Sequence, residues 1–509
     1  MCKITFPLKT WSTLLAICGV LITTEGRAQN TQKFSKELND LITTITSQIK
    51  ELPGISVVVV KGDQPVFMKN YGYADIANKY PAKNNTPYYI ASSTKSFMGM
   101  AAAMLDHQGK VKLDATLAES MPYIKFKPEV KANEVKLRQL LNHTSGIDND
   151  YFAFRAAYSG YINRSEMDWV LENKTKRVRE TGKYDYTNLG YNIYSHLTDK
   201  KLGKPWQDVL QELIFQPLNM KRTTAYMSMA KTKGWKYAKP YSALGKNAPT
   251  ELYLMKKDNT MQSAGGLITT VEDMANWLVF NLNEGKFQGK QIVPAKVVQM
   301  AHSRLAAQGR TRKPYRRDSY GLGWEIGTYK NKKIIQHDGG FAGFGCHVVM
   351  MPKEKIGITV LVNEGLMAIP ISHYISQFVF DWWLRGGRSN KKAGKIASRM
   401  AKSLKKYKKM IKADSVKRAK RTWKLTEPLK SYEGNYYNKA IGKVSVKVTD
   451  GVLEIIHGNL RTKSTPFVQD NTIRVELIPN QGWIVGFKIK PGKKAHLLWM
   501  GRDDFERIE

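Results

Sequence analysis

Cysteine is almost missing from this chain. Of 509 residues only three are cysteine, and two of them, Cys2 and Cys18, stand in the first twenty positions. Cys346 would be left alone once a leader is removed, so no internal disulfide can staple the mature chain. Its neighbours Val348, Val349 and Met350 suggest a buried strand residue rather than a reactive thiol. Stability must then come from a core, and a chain of this length can bury a large one. Nothing supplies the run of about 18 or more apolar residues that a spanning helix requires. Acid is scarce, with 43 Asp and Glu against 81 Lys and Arg and a net charge of +38. The histidines show no metal-ligand spacing, no glycine loop suited to phosphate is present, and no segment repeats, so no metal or organic cofactor is expected.

What remains is globular in composition, 42% apolar and 10% aromatic, and long enough for two or three folded units. Lys3 and Lys9 precede an apolar run from Trp11 to Ile22, broken only by Ser12 and Thr13. Gly26-Arg27-Ala28 follows. This predicts a signal peptide cut after Ala28 and a periplasmic or secreted protein, with an uncleaved anchor as the alternative. The bulky Ile17 and the apolar residues after Cys18 argue against a lipoprotein. Much of the charge lies from Arg388 to Lys424, where about every third residue is basic and Asp414 is the sole acid. Ala393, Ile396, Ala397, Met400, Leu404, Tyr407 and Ile411 give that stretch a partial helical spacing. A solvated face is the ordinary meaning of such a run. Contact with an anionic envelope surface is the next reading, and nucleic acid is not expected for an exported chain.

The predicted division is therefore a leader at 1–28, a catalytic unit at 29–386, a basic and partly helical linker at 387–425, and a small β-domain at 426–509. Leu38, Leu41, Ile42, Ile45 and Ile49 mark an amphipathic helix, ended at Pro53-Gly54. Ile55 to Val60 and Pro65 to Tyr71 read as a hairpin. A mainly helical middle follows, with Thr269 and Glu272 as a capping box. Strands return at Lys333 to Gln336, Gly345 to Met351 and Ile356 to Val362. This order predicts an α+β unit, one antiparallel sheet built from both ends with helices packed against it. Beyond the basic stretch, short strands around an Asp450-Gly451 turn predict a separate β-barrel-like domain.

The candidate chemistry starts at Ser92-Ser93-Thr94-Lys95, where extended Tyr88-Tyr89-Ile90-Ala91 gives way to a helical run. Residues three apart share a helix face, so Lys95 comes within reach of a serine at the helix entrance. The same S-x-x-K spacing recurs at Ser47/Lys50, Ser389/Lys392 and Ser403/Lys406, so spacing alone decides nothing. Context does. Downstream come Leu137-Arg138-Gln139-Leu140-Leu141-Asn142-His143-Thr144-Ser145-Gly146-Ile147, then Tyr184-Asp185-Tyr186-Thr187-Asn188-Leu189-Gly190-Tyr191, Ser263-Ala264-Gly265-Gly266-Leu267 and His337-Asp338-Gly339-Gly340. This ordered set resembles the serine β-lactamase and penicillin-binding protein superfamily, particularly its class C-related esterase and D-peptidase branch, over roughly Leu52 to Asn363. The tail that opens at Tyr432-Glu433-Gly434-Asn435-Tyr436 resembles small β-domains found after such hydrolases.

The resemblance implies a β-lactamase/transpeptidase-like fold and an acyl-enzyme on Ser92. Lys95 and Tyr186 would share the proton transfer, Asn188, His337 and Gly339 would contact substrate, and the N–H groups of Ser92 and Gly340 would form the oxyanion hole. His143 is expected to be structural. A tyrosine beside an ammonium loses its proton more easily, so either Lys95 or Tyr186 suits the base. His337 stands where many β-lactamases carry lysine, which favours ester or peptide substrates over β-lactams. The alternatives are a non-catalytic penicillin-binding-like receptor and a protein that binds wall or anionic polymer through its basic stretch.

Overall fold

The computed structural model describes residues 11–245, 247–386 and 393–508. Of the segment read as a leader, residues 1–10 lie outside it, and Trp11 to Ala28 belong to the long first helix, α1 (Trp11–Gln48). After α1, Pro53 and Gly54 turn the chain into strand β1 (Gly54–Lys61), and a tight turn returns it as β2 (Gln64–Asp75). The later strands are β3 (Ala306–Arg312), β4 (Tyr315–Tyr320), β5 (Glu325–Tyr329), β6 (Lys332–Phe341), β7 (Phe344–Met351) and β8 (Ile356–Val362). All pair antiparallel in the order β3-β4-β5-β6-β7-β8-β1-β2, with a two-residue edge at Tyr80–Pro81. The seam joining the two ends of the unit is β1 on β8, Ile55 opposite Val362 and Val60 opposite Gly357. One sheet is thus assembled from both flanks of a helical middle, as the sequence implied.

Period-two alternation distributes the strand side chains between two cores. Val57 and Val59 enter the core beneath α1 and the helix Ala368–Leu384, together with Phe34, Leu38, Ile42 and Ile45. Val58 and Val60 enter the opposite core with the helical middle, including Phe97, Trp277 and Leu278. Each fully buried valine contributes about 1.5–3 kcal/mol, and slipping β1 by one residue would exchange the two sets.

The helix α2 (Thr94–His107) is buried along almost its whole length. The helix Val271–Leu282 corrects the expected cap by one residue. Thr270, not Thr269, takes the N-cap position and accepts from the Asp273 N–H at 3.1 Å. Thr269 instead pairs its hydroxyl with that of Thr223 at 2.7 Å, while the Asp273 carboxylate accepts from Arg222 N and Thr223 Oγ1.

The basic stretch forms a helix over Ala393–Ala419, and residues 387–392 fall outside the described residues. The C-terminal strands form a nine-stranded antiparallel sheet, curled into a nearly closed barrel around its own core of Tyr432, Tyr436, Val444, Leu453, Ile455 and Phe505. This barrel docks on the unit that contains the sheet of β1 to β8. Tyr151 donates to Asp503 at 2.7 Å, Arg155 to the Lys439 carbonyl at 3.1 Å and Tyr161 to the Lys443 carbonyl at 3.0 Å.

Candidate active site

The short extended piece Tyr88–Tyr89 pairs with Ile268–Thr269, and the chain then turns abruptly into α2. Ala91 makes the turn with φ of +44°, a region non-glycine residues seldom occupy and one that costs energy unless its surroundings hold it. What holds it is β6. A Cβ on Gly339 would stand 1.9 Å from Ile90 O and 3.1 Å from Ser93 N, so only glycine lets this strand press against the turn. Ser92 is left half-buried at the entrance of α2, while Gly340, the next residue of β6, is exposed.

One turn into the helix, Lys95 is fully buried. Its Nζ lies 2.7 Å from Asn188 Oδ1, 2.7 Å from Ala264 O and 3.2 Å from Ser92 Oγ. None of the three is a carboxylate. Burial, with no anion against it, pushes the Lys95 amine well below its ordinary value. A neutral amine has two N–H donors and one lone pair, which matches two oxygens that can only accept and one hydroxyl that can donate. In that state the lone pair faces Ser92 Oγ.

Tyr186 completes the group from far along the chain. Its ring lies 4.9 Å from Lys95 Nζ, and its phenol is hydrogen-bonded to the Ser92 side chain. Burial raises the phenol well above its ordinary value. Burial therefore acts against the easing of proton loss that a neighbouring ammonium would give Tyr186. Burial thus disfavours the charged form of both groups, the ammonium of Lys95 and the phenolate of Tyr186.

This arrangement of serine, lysine and tyrosine sits inside the segment, residues 41–367, that matches the beta-lactamase family. The chain belongs to the beta-lactamase family. Among its relatives, Protein flp of Staphylococcus aureus strain MW2 is 24% identical over 351 residues, covering 68% of this chain and 67% of that protein. Unguisins hydrolase ungD' of Aspergillus campestris is 23% identical over 446 residues, covering 82% and 78%. The solved structure of the octameric penicillin-binding protein homologue from Pyrococcus abyssi is similar in fold, with a TM-score of 0.57 at 22% identity over 92% of this chain and 99% of that one.

Two members of the expected site have partners that define what this beta-lactamase relative can do with them. His337 lies 6.3 Å from the Tyr186 ring, centroid to centroid, and is 3% exposed. Its Nδ1 meets the Asp338 carbonyl at 2.6 Å and its Nε2 the Tyr320 hydroxyl at 2.9 Å. Since the carbonyl can only accept, Nδ1 carries the proton and Nε2 accepts from Tyr320. Burial lowers His337 to about 3, so it is neutral and both nitrogens are committed within the protein. It holds the hydroxyl of Tyr320, whose ring packs beside Tyr186. Asn188 faces Lys95. His143, expected to be structural, lies 4.4 Å from the Tyr186 ring, centroid to centroid, with the two planes tilted, and accepts from Thr187 N at 3.3 Å, so it holds the loop that delivers Tyr186.

Several functional positions escaped sequence reasoning. Ala264 acts through its carbonyl, which no side-chain pattern signals, although its segment was among those that carried the resemblance. On the far face of β6, Asp338 accepts from Arg317 at 2.8 Å, meets His347 Nδ1 at 2.7 Å and lies 3.0 Å from His373 Nε2. Burial alone would raise Asp338, but the hydrogen bonds from His347 and His373 hold it well below the usual carboxylate range. Burial lowers His347 to about 4. Asp338, His347 and His373 are close enough together to share a metal ion, a grouping that their sequence spacing conceals. The Arg317 guanidinium on the same carboxylate opposes a second cation there, and the cluster serves as a hydrogen-bonded anchor under β6.

Proposed function

We propose that this protein is an exported serine hydrolase that acts through an acyl-enzyme on Ser92, on an ester or an amide of the D-peptidase or carboxypeptidase type. The observation that carries the reading is the lysine whose three neighbours are two obligate acceptors and the serine hydroxyl. Lys95 takes the Ser92 proton as Oγ attacks the substrate carbonyl. The N–H groups of Ser92 and Gly340 hold the oxyanion, worth about a hundredfold or more in rate per donor. Tyr186, still protonated and bonded to Ser92, gives its proton to the leaving group and recovers one from the Lys95 ammonium. Water then enters by the reverse sequence and frees Ser92. Asn188 holds the amine in register throughout.

Because His337 is neutral and internally bonded, β6 offers no cation to a substrate carboxylate at that position. This supports esters and peptides ahead of β-lactams. The test is a panel of a short-chain ester, a D-Ala-D-Ala peptide and a chromogenic cephalosporin, with wild type and Ser92→Ala. Ester or peptide turnover lost by a factor of about 10⁴ or more in the variant is expected. Cephalosporin turnover far above both would overturn the substrate reading. Export rests on the leader-like sequence at 1–28, and a mature chain beginning at Gln29 would bear it out. The basic stretch supports attachment to an anionic envelope surface.

A further inference from the structure

The helix Ala393–Ala419 carries ten Lys or Arg residues and one acid, but they are not spread evenly around it. Lys395, Arg399, Lys402, Lys406 and Lys409 follow one another at steps of four, three, four and three. At 3.6 residues per turn they fall within about 80° of one another, in a row roughly 21 Å long. All five are exposed, and among the described residues no carboxylate pairs with any of them. The acids that do pair lie elsewhere around the helix, where Glu51 takes Lys408 at 2.8 Å and Asp414 takes Arg418 at 3.0 Å. The side opposite the row is what fixes the helix, through buried Ala397 and Leu404, and a Ser398–Gln48 hydrogen bond of 3.1 Å tethers it at the flank of the row.

Beside this row runs an apolar groove of about 470 Å³ between the basic helix and the helix Ala368–Leu384. Its walls include Leu366, Pro370, Ile396, Met400 and Tyr407, with Arg399 and Ser403 also lining it. Arg399 therefore belongs to both features. Further along the helix, Met410 and Val416 are 56% and 51% exposed and stand to either side of the line of the basic row. A soluble polyanion would be served by the cations alone. Cations edged by exposed apolar side chains and joined to an apolar slot match the headgroup and acyl-chain levels of a membrane surface.

We propose that this face seats the protein on an anionic lipid bilayer, with lipid phosphates along the Lys395–Lys409 row and one acyl chain entering the groove at Arg399. The attachment is independent of hydrolysis, so Ser92→Ala binds as wild type does. Each lysine near such a surface contributes about fivefold in affinity, and salt weakens the sum.

The test uses the full chain and phosphatidylglycerol/phosphatidylcholine vesicles at low salt, with phosphatidylcholine vesicles as the neutral control. Expected is binding to the anionic vesicles alone, weakened roughly 100-fold in the Lys402→Gln/Lys406→Gln/Lys409→Gln variant, whose ester hydrolysis stays unchanged. Should that variant fail to fold, wild type in 0.5 M salt supplies the same reading. Dihexanoyl phosphatidylglycerol below its micelle concentration is expected to bind, glycerol phosphate, which carries the greater charge but no acyl chain, is not, and Ser403→Trp, which fills the groove from an exposed position, abolishes the former. Equal binding to neutral vesicles, or anionic-vesicle binding that neither the triple variant nor salt weakens, would overturn the proposal. So would equal binding of glycerol phosphate and the short lipid, or polyphosphate capture without vesicle binding.

Discussion

A buried amine with no counter-ion has two ways to lower its cost: to lose its proton or to collect acceptors. Burial presses Lys95 toward the first, and two carbonyl oxygens would then aim the remaining lone pair. The pH dependence of kcat/KM follows from the directions of the shifts. Activity falls on the acid side as Lys95 takes up a proton, and that limb lies well below the ordinary lysine range because burial depresses the amine. The alkaline limb, from loss of the Tyr186 proton, lies above the ordinary phenol value because burial raises it. Ester hydrolysis measured from pH 5 to 10 should therefore show no fall between about pH 8 and 10. A descending limb near pH 7 or 8 that moves in a Tyr186→Phe variant would make the phenolate the base instead.

Lys256 gives a second test at this scale. It is 4% exposed, bonded to the Ala157 carbonyl, and enclosed by Phe341, Tyr158 and Tyr89 at 4.2, 5.2 and 5.7 Å. Burial lowers its amine to about 7. The unfolded chain then binds this proton more readily than the folded one between about pH 7 and 10.5, so stability rises with pH through that window. Lys256→Met should raise the Tm most at or below pH 7, with the gain shrinking toward pH 10. A gain independent of pH would show that the amine titrates normally.

At the scale of elements, the site depends on β6 pressing on the turn before α2. Gly339→Ala places a methyl group against backbone, and overpacking of that kind costs about 1–3 kcal/mol. The neighbouring Gly340 has nothing within 4 Å of where its Cβ would stand, so Gly340→Ala should change stability by no more than about 0.5 kcal/mol. Urea unfolding of the two variants compares them directly, and equal losses would contradict the packing described for β6. Removing the true helix cap, Thr270→Ala, should cost about 1 kcal/mol, and Thr269→Ala tests the one-residue correction because its hydroxyl plays no part in the cap.

These elements also show what a sequence reveals. The hairpin β1–β2 and the strands β7 and β8 announce themselves by apolar runs, and S-x-x-K at a strand-to-helix change located a serine and an amine that the fold sets 3.2 Å apart. Strands β3 and β4 read Ala-Ala-Gln-Gly-Arg-Thr-Arg and Tyr-Arg-Arg-Asp-Ser-Tyr, in which charge hides the alternation. Arg317 turns inward because Glu325 and Asp338 receive it at 2.7 and 2.8 Å, a partnership made only by the fold. The same holds for Lys95 and Tyr186: the resemblance puts a tyrosine near the lysine, but the desolvation of both is a product of the fold.

The whole molecule is three cores joined by packing. α1 and the basic helix clasp one side of the sheet, the helical middle and the nucleophile lie on the other, and the barrel is fastened against the segment around Phe154, Tyr158 and Tyr161. Phe341, directly after Gly340, packs toward the barrel core, which links the lip of the active site to that domain. The hydrolytic account nonetheless turns on one atom. Fluorophosphonate labelling followed by intact mass, on wild type and Ser92→Ala at neutral pH, measures it directly. A single adduct on wild type and none on the variant is the predicted result. The same adduct on both proteins would place the nucleophile elsewhere and contradict the account.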